Sequence, residues 1–185
     1  MINICNNLLK KIANTLLKSK KIFITISCIV LSVLVGFSYW AIAQTNPPTS
    51  PDFELLTFDG EQLLLSDLRG DIVVLHFWAS WCGPCRQEMP LMNDIYEEYK
   101  DLGFTILAVN VDEDSADADR FLKAVPVDFP VLYDSDSKIS EMYQVDAMPT
   151  TVLIDRDGNK RFHHRGYKAG YEVEYSKQVK ALVRE

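Results

Sequence analysis

Cys82 and Cys85 stand two residues apart in Trp81-Cys82-Gly83-Pro84-Cys85, directly after the apolar run Ile72-Val73-Val74-Leu75-His76-Phe77-Trp78. Two thiols at this spacing, after a strand and at the opening of a helix, are suited to exchanging disulfides. A helix N-terminus aims unpaired N–H groups and a partial positive charge at the first sulfur, which favours thiolate over thiol. Thiolate is the nucleophile, and the second sulfur can attack a mixed disulfide formed on the first. Half of a zinc site and a purely structural disulfide are the competing uses of such a pair. The other cysteines, Cys5 and Cys28, lie in an N-terminal segment outside the domain, and His163 and His164 are adjacent. Adjacent residues on a strand point to opposite faces, so they do not complete a tetrahedral site. No metal and no cofactor are expected.

The elements that must hold this pair follow from hydrophobic periodicity. Phe53 to Phe58 predicts a strand, Asp59-Gly60 a hairpin turn, and Gln62 to Leu65 the returning strand. Ser66 to Gly70 reads as one capped helical turn. Asp71 to Trp78 is a near-continuous apolar strand, as at the centre of a sheet covered on both faces. From Pro84 to about Asp101 the pattern is helical, with Pro90 inside it and Gly103 to stop it. Phe104 to Val111 is a second buried strand, so strand, helix and strand predict a parallel pair with a right-handed crossover. Beyond it come a helix over Ser115 to Ala124, a strand over Phe129 to Tyr133 and a helix over Ser137 to Tyr143. Thr150 to Asp155 and Lys160 to His164 flank the turn Arg156-Asp157-Gly158-Asn159, and Tyr171 to Val183 is a closing helix. Asp112-Glu113-Asp114 lacks the glycine and distal glutamate of a calcium loop and is better read as the acidic start of a helix.

The chain's charge is divided. Its 185 residues carry a net −7, yet residues 1–43 hold five lysines and no acid. Taking those five from the 19 basic residues leaves 14 against 26 acids, or −12 for the remainder. So acidic a domain is unsuited to nucleic acid. Ile22 to Ala43 is a run of 22 residues without charge, and about 20 span a bilayer as a helix. Lysines before it and acid after it predict a cytoplasmic N-terminus and an external domain. The expected organisation is a basic segment (1–21), a transmembrane signal-anchor (22–43), a proline-rich linker (44–51) and one domain (52–185). Ala41-Ile42-Ala43 also fits a signal-peptidase site, so a soluble periplasmic or secreted form cleaved near Ala43 stands as the alternative. Either way the compartment does not protect thiols.

The stretch Phe77-Trp78-Ala79-Ser80-Trp81-Cys82-Gly83-Pro84-Cys85-Arg86-Gln87-Glu88-Met89-Pro90 resembles the active-site segment of thioredoxin-fold proteins. It is most similar to membrane-anchored thiol–disulfide oxidoreductases of the TlpA/ResA type. The resemblance runs from about Pro51 to the C-terminus and includes Met148-Pro149-Thr150-Thr151, Asp155-Arg156-Asp157-Gly158 and Gly166. It implies an α/β thioredoxin-like fold with an N-terminal β-hairpin and a central αβ insert at roughly 115–134, preceded by the N-terminal helix. It implies that Cys82 and Cys85 form the redox-active disulfide. It makes Pro149 a cis-proline beside that disulfide, with the Met148 backbone free to pair with an extended substrate. Glu88 becomes a partly buried acid exchanging a proton with Cys85, rather than a solvent-facing glutamate. Trp81 belongs to the docking face and Trp78 to the core.

His76 departs from the resemblance, which puts aspartate or asparagine at this strand position. It is expected to be a buried neutral imidazole held by a backbone partner, with a proton shuttle as the alternative.

The implied enzyme is an extracytoplasmic protein disulfide reductase serving a disulfide-containing target such as apocytochrome c, and a membrane-embedded thiol relay restores its dithiol. Gly83-Pro84 leans towards reduction. A disulfide-forming oxidase and a copper-binding or metallochaperone module are the alternatives. Against copper, two residues rather than three separate the cysteines and no histidine partner is evident. A thiol-peroxidase context is absent.

Overall fold

The computed structural model describes residues 49–185. The basic segment, the expected span at Ile22–Ala43 and most of the linker lie outside them. Among the described residues no helix is long and apolar enough to cross a membrane.

The chain opens with an antiparallel hairpin, β1 (Glu54–Leu56) and β2 (Gln62–Leu64), turned at Gly60 with φ +82°. A five-stranded sheet follows: β3 (Ile72–Trp78), β4 (Phe104–Asn110), β5 (Val131–Tyr133), β6 (Thr150–Ile154) and β7 (Lys160–Arg165). Its order is β5-β4-β3-β6-β7, with β3, β4 and β5 mutually parallel, β6 antiparallel to β3 and β7 antiparallel to β6. The helices are α1 (Gly83–Tyr99), α2 (Ser115–Ala124), α3 (Lys138–Met142) and α4 (Tyr171–Val183). The hairpin and the helix–strand insert are both present, and β5 adds to the sheet beside β4.

Strand β3 is wholly buried, and its alternation assigns each residue to a layer. Ile72, Val74 and Trp78 pack with Met89, Met92 and Ile95 of α1, Phe121 of α2, and Tyr175 and Val179 of α4. Val73, Leu75 and Phe77 pack on the opposite face with Phe53, Leu65, Ile139 and Tyr143. His76 shares parity with Ile72, Val74 and Trp78 and so faces α1 and α4. At the far end of α1, Gly103 at φ +70° ends the helical stretch. A side chain there would put its Cβ 2.7 Å from the Arg156 guanidinium, so glycine meets both a conformational and a spatial need.

Several boundaries differ from the sequence-based expectation. Phe53 precedes β1; its ring packs in the core while its carbonyl accepts the Leu65 amide at 3.0 Å. Leu65–Leu68 is a 3-10 turn without a side-chain cap, because Leu64 and not a hydroxyl residue precedes it. Phe129 lies before β5, its ring set edge-on 5.9 Å from Tyr96 of α1. Pro90 lies inside α1, as read. Thr49 and Ser50, read as the end of the linker, are attached to the domain. Thr49 bridges to Asn159, the Ser50 amide donates to the Gly158 carbonyl at 2.8 Å, and the Ser50 hydroxyl bonds Tyr143.

Candidate active site

Strand β3 delivers the chain to the turn Ala79–Cys82, and α1 begins at Gly83 with Pro84 in its first turn, where a missing N–H is harmless. Cys82 is the N-cap, and its sulfur accepts the Cys85 amide at 3.1 Å. Cys82 and Cys85 are joined as a disulfide with their Cα atoms 5.3 Å apart. Cys82 retains 4% exposure and Cys85 none. A groove of about 560 Å³ runs beside the disulfide, lined by Trp81, Cys82, Gly83, Pro84 and the segment Val145–Met148. Cys82 borders it and Cys85 does not, so an incoming disulfide meets Cys82 first. Trp81 is 69% exposed on the rim and Trp78 is fully buried. The Met148–Pro149 bond is cis.

The turn is held from a distance by a residue that the motif does not contain. Asp112 is buried, and its carboxylate accepts the Ser80 amide at 2.9 Å, the Ser80 hydroxyl at 3.1 Å and the Asn110 amide at 2.8 Å. Asp114 is the N-cap of α2, accepting the Ala116 amide. The acidic run is therefore a helix start, as read, plus a brace for the cysteine turn. Among the described residues no cluster suits a metal ion.

Glu88 lies one turn along α1 from Cys85 and is fully buried rather than solvent-facing. Burial pushes its carboxyl up to about 7; the adjacent Tyr175 hydroxyl opposes the rise and the Glu172 charge adds to it. Burial pulls the His76 imidazole down to about 4, so it is neutral at physiological pH. The expectation of a backbone partner for His76 is corrected. Its Nδ1 meets the Thr151 hydroxyl at 3.1 Å, because the β3–β6 register sets His76 directly opposite Thr151. Its Nε2 faces Glu88 Oε2 at 3.9 Å. Tyr175 is wedged against this pair, its ring 4.9 Å from that of His164. Its hydroxyl adjoins Glu88 and Thr151 but closes a full hydrogen bond with neither.

The two shifts act oppositely on stability. Glu88 binds its proton more tightly folded than unfolded, so its contribution falls as pH rises from about 4.5 to 7. His76 binds its proton less tightly folded, so its contribution rises as pH goes from about 4 to 6.5. Across their shared window the slopes cancel. Glu88→Gln should unmask the histidine limb, leaving a protein that loses about 3 kcal/mol between pH 6.5 and 4 from this residue. Denaturant midpoints of the oxidised protein against pH read this directly, and a variant profile parallel to the wild-type one refutes it.

Residues 49–163 match the AhpC/TSA family. A thiol-disulfide oxidoreductase ResA from Geobacillus kaustophilus is 35% identical over 150 residues, covering 81% of this chain and 86% of that protein. A ResA from Bacillus cereus is 33% identical over 169 residues, covering 88% and 98%. Among solved structures, one named as a thiol:disulfide interchange protein DsbE from Chlorobium tepidum superposes with a TM-score of 0.72. It is 41% identical and covers 74% of this chain and 96% of its own.

Proposed function

The chain belongs to the AhpC/TSA family and is a thiol–disulfide oxidoreductase of thioredoxin-like α/β fold, and from that premise we propose that it reduces disulfides in proteins outside the cytoplasmic membrane. The observation that carries the reading is a disulfide at a helix start whose first sulfur alone borders an open groove. In the reduced enzyme the helix N-terminus stabilises the Cys82 thiolate. That thiolate attacks a substrate disulfide, forming a mixed disulfide and expelling one substrate thiolate. Glu88 takes the proton of the Cys85 thiol, whose sulfur then attacks Cys82. The second substrate sulfur leaves, and two electrons have passed from enzyme to substrate. Met148, joined to Pro149 by the cis bond, lines the groove where an extended segment would lie.

The tether is the uncharged run Ile22–Ala43 with its preceding lysines. The ResA and DsbE relatives support the reductase assignment. Oxidised apocytochrome c is the proposed target and a membrane-embedded thiol relay the proposed electron source. The reduction potential of the full chain, equilibrated in defined thiol buffers, tests the direction. A value near about −270 mV is expected of a reducing dithiol, whereas one near about −120 mV makes the protein a disulfide donor.

A further inference from the structure

Among the described residues, four buried polar atoms without a hydrogen-bond partner come together behind the disulfide. They are His76 Nε2, both Glu88 carboxyl oxygens and the Tyr175 hydroxyl. Buried polar groups are almost always paired, so a group of four such atoms in one place calls for a chemical reason. They come from three elements, β3, α1 and α4, and Thr151 of β6 closes the ring against His76 Nδ1. The charged and titratable groups facing Glu88 are His76 from β3, Tyr175 and Glu172 from α4 and Tyr167 from the loop before α4, with Cys85 one turn back on its own helix. Among these only His76 offers a ring nitrogen.

We propose that His76 is a positioning residue for Glu88: with Thr151 donating to its Nδ1, its Nε2–H is directed at Glu88 Oε2, leaving Oε1 to carry the proton exchanged with Cys85. This rests on the thiol–disulfide reading and extends it. A neutral imidazole has one donor and one acceptor nitrogen, and the partner of one sets the role of the other. The Thr151 hydroxyl can donate or accept, and in donating to Nδ1 it leaves the ring proton on Nε2. An Nε2–H suits both states of the acid, since the carboxylate and the carbonyl oxygen of the protonated carboxyl each accept. The 3.9 Å separation must shorten for that bond to form, and the charge of the ionised Glu88 carboxylate supplies the pull that closes it. A hydrogen bond to the ionised form is about twice as strong as one to the neutral form, so His76 favours the carboxylate against the pull of burial. During resolution the Cys85 thiol proton passes to Oε1. The freed sulfur forms the Cys82–Cys85 bond, the Cys82–substrate bond breaks, and the departing thiolate takes a proton from solvent.

The test uses the full chain in detergent micelles with its glutamates labelled at the carboxyl carbon; Glu88→Gln identifies the Glu88 resonance. In the oxidised protein, His76→Phe keeps a ring in the space and removes both nitrogens. It should move the Glu88 midpoint upward by half a pH unit or more. Thr151→Val should move it the same way by less. His76→Gln, whose amide reaches the Nε2 position, should return it towards wild type. The rate of reduction of glutathione disulfide in a single turnover should show the same ordering in its pH profile. Unchanged or lowered midpoints in both His76→Phe and Thr151→Val overturn the proposal, and if the phenylalanine variant does not fold, Thr151→Val and His76→Gln decide it. A wild-type protein inert towards glutathione disulfide would instead remove the exchange reading, while the carboxyl titration still decides the hold of His76 on Glu88.

Discussion

Cys85→Ser should accumulate covalent adducts with its substrate proteins through Cys82, whereas Cys82→Ser should form none and turn nothing over. The two sulfurs differ in position more than in chemistry. Cys82 borders the groove, retains slight exposure, and sits at the helix N-cap with the Cys85 amide donating to it. Those features favour its thiolate and give a substrate disulfide access to it. Cys85 is fully buried, and its natural partner for attack is a sulfur already bound to Cys82. Serine at position 85 cannot resolve the mixed disulfide, so the intermediate persists. Non-reducing gels of the variant expressed in its own cells, with a reduced lane as control, read the adducts. Adducts on Cys82→Ser, formed through Cys85, would reverse the proposed order of attack.

Trp78→Ala should be the most damaging single change to the fold near the site, at about 3–5 kcal/mol. That is a large share of the roughly 5–15 kcal/mol that holds a domain together. Trp78 is fully buried at the end of β3, and its ring lies 4.8 Å from that of Phe121 in α2. Its carbonyl accepts the Val111 amide at 3.0 Å, where the chain leaves β4 for the insert. The alanine variant would therefore open a cavity where the insert, the sheet and the cysteine turn meet. Trp78→Phe keeps a ring against Phe121 and deletes an indole N–H that has no partner, so its loss should be less than half as large. Denaturant unfolding of the oxidised proteins measures both. A loss below about 1 kcal/mol for the alanine variant would mean that the site collapses around the gap.

The features legible in the sequence are the local ones. Cys82, Gly83, Pro84 and Cys85 lie within one turn, so their geometry follows from the residues beside them. The apolar runs of β3 and β4 identify covered strands, because a strand buried on both faces has no room for polar residues. Helices α2 and α4 end where their periodicity ends, at Ala124 and Val183. Phe53 and Phe129 mark the limit of this logic. Both are aromatic residues just outside short strands, and where such a strand begins depends on what lies across the core.

The protonic half of the site is a tertiary product. His76 could be seen to depart from the resemblance, but not what it would touch, since its partner Thr151 lies 75 residues away and is set opposite it by the β3–β6 register. Tyr175 gave no signal at all: it reads as an ordinary aromatic of an amphipathic helix until α4 docks against the sheet. Asp112 looked like helix-capping acid, and only the β3–β4 pairing, which aligns Trp78 with Asn110, brings it under Ser80. Sequence alone determined which two sulfurs meet at the start of α1, because they and the helix start are neighbours along the chain. The tertiary structure decided which titratable groups stand behind them, because the meeting of distant elements buries Glu88 and His76 together and shifts both.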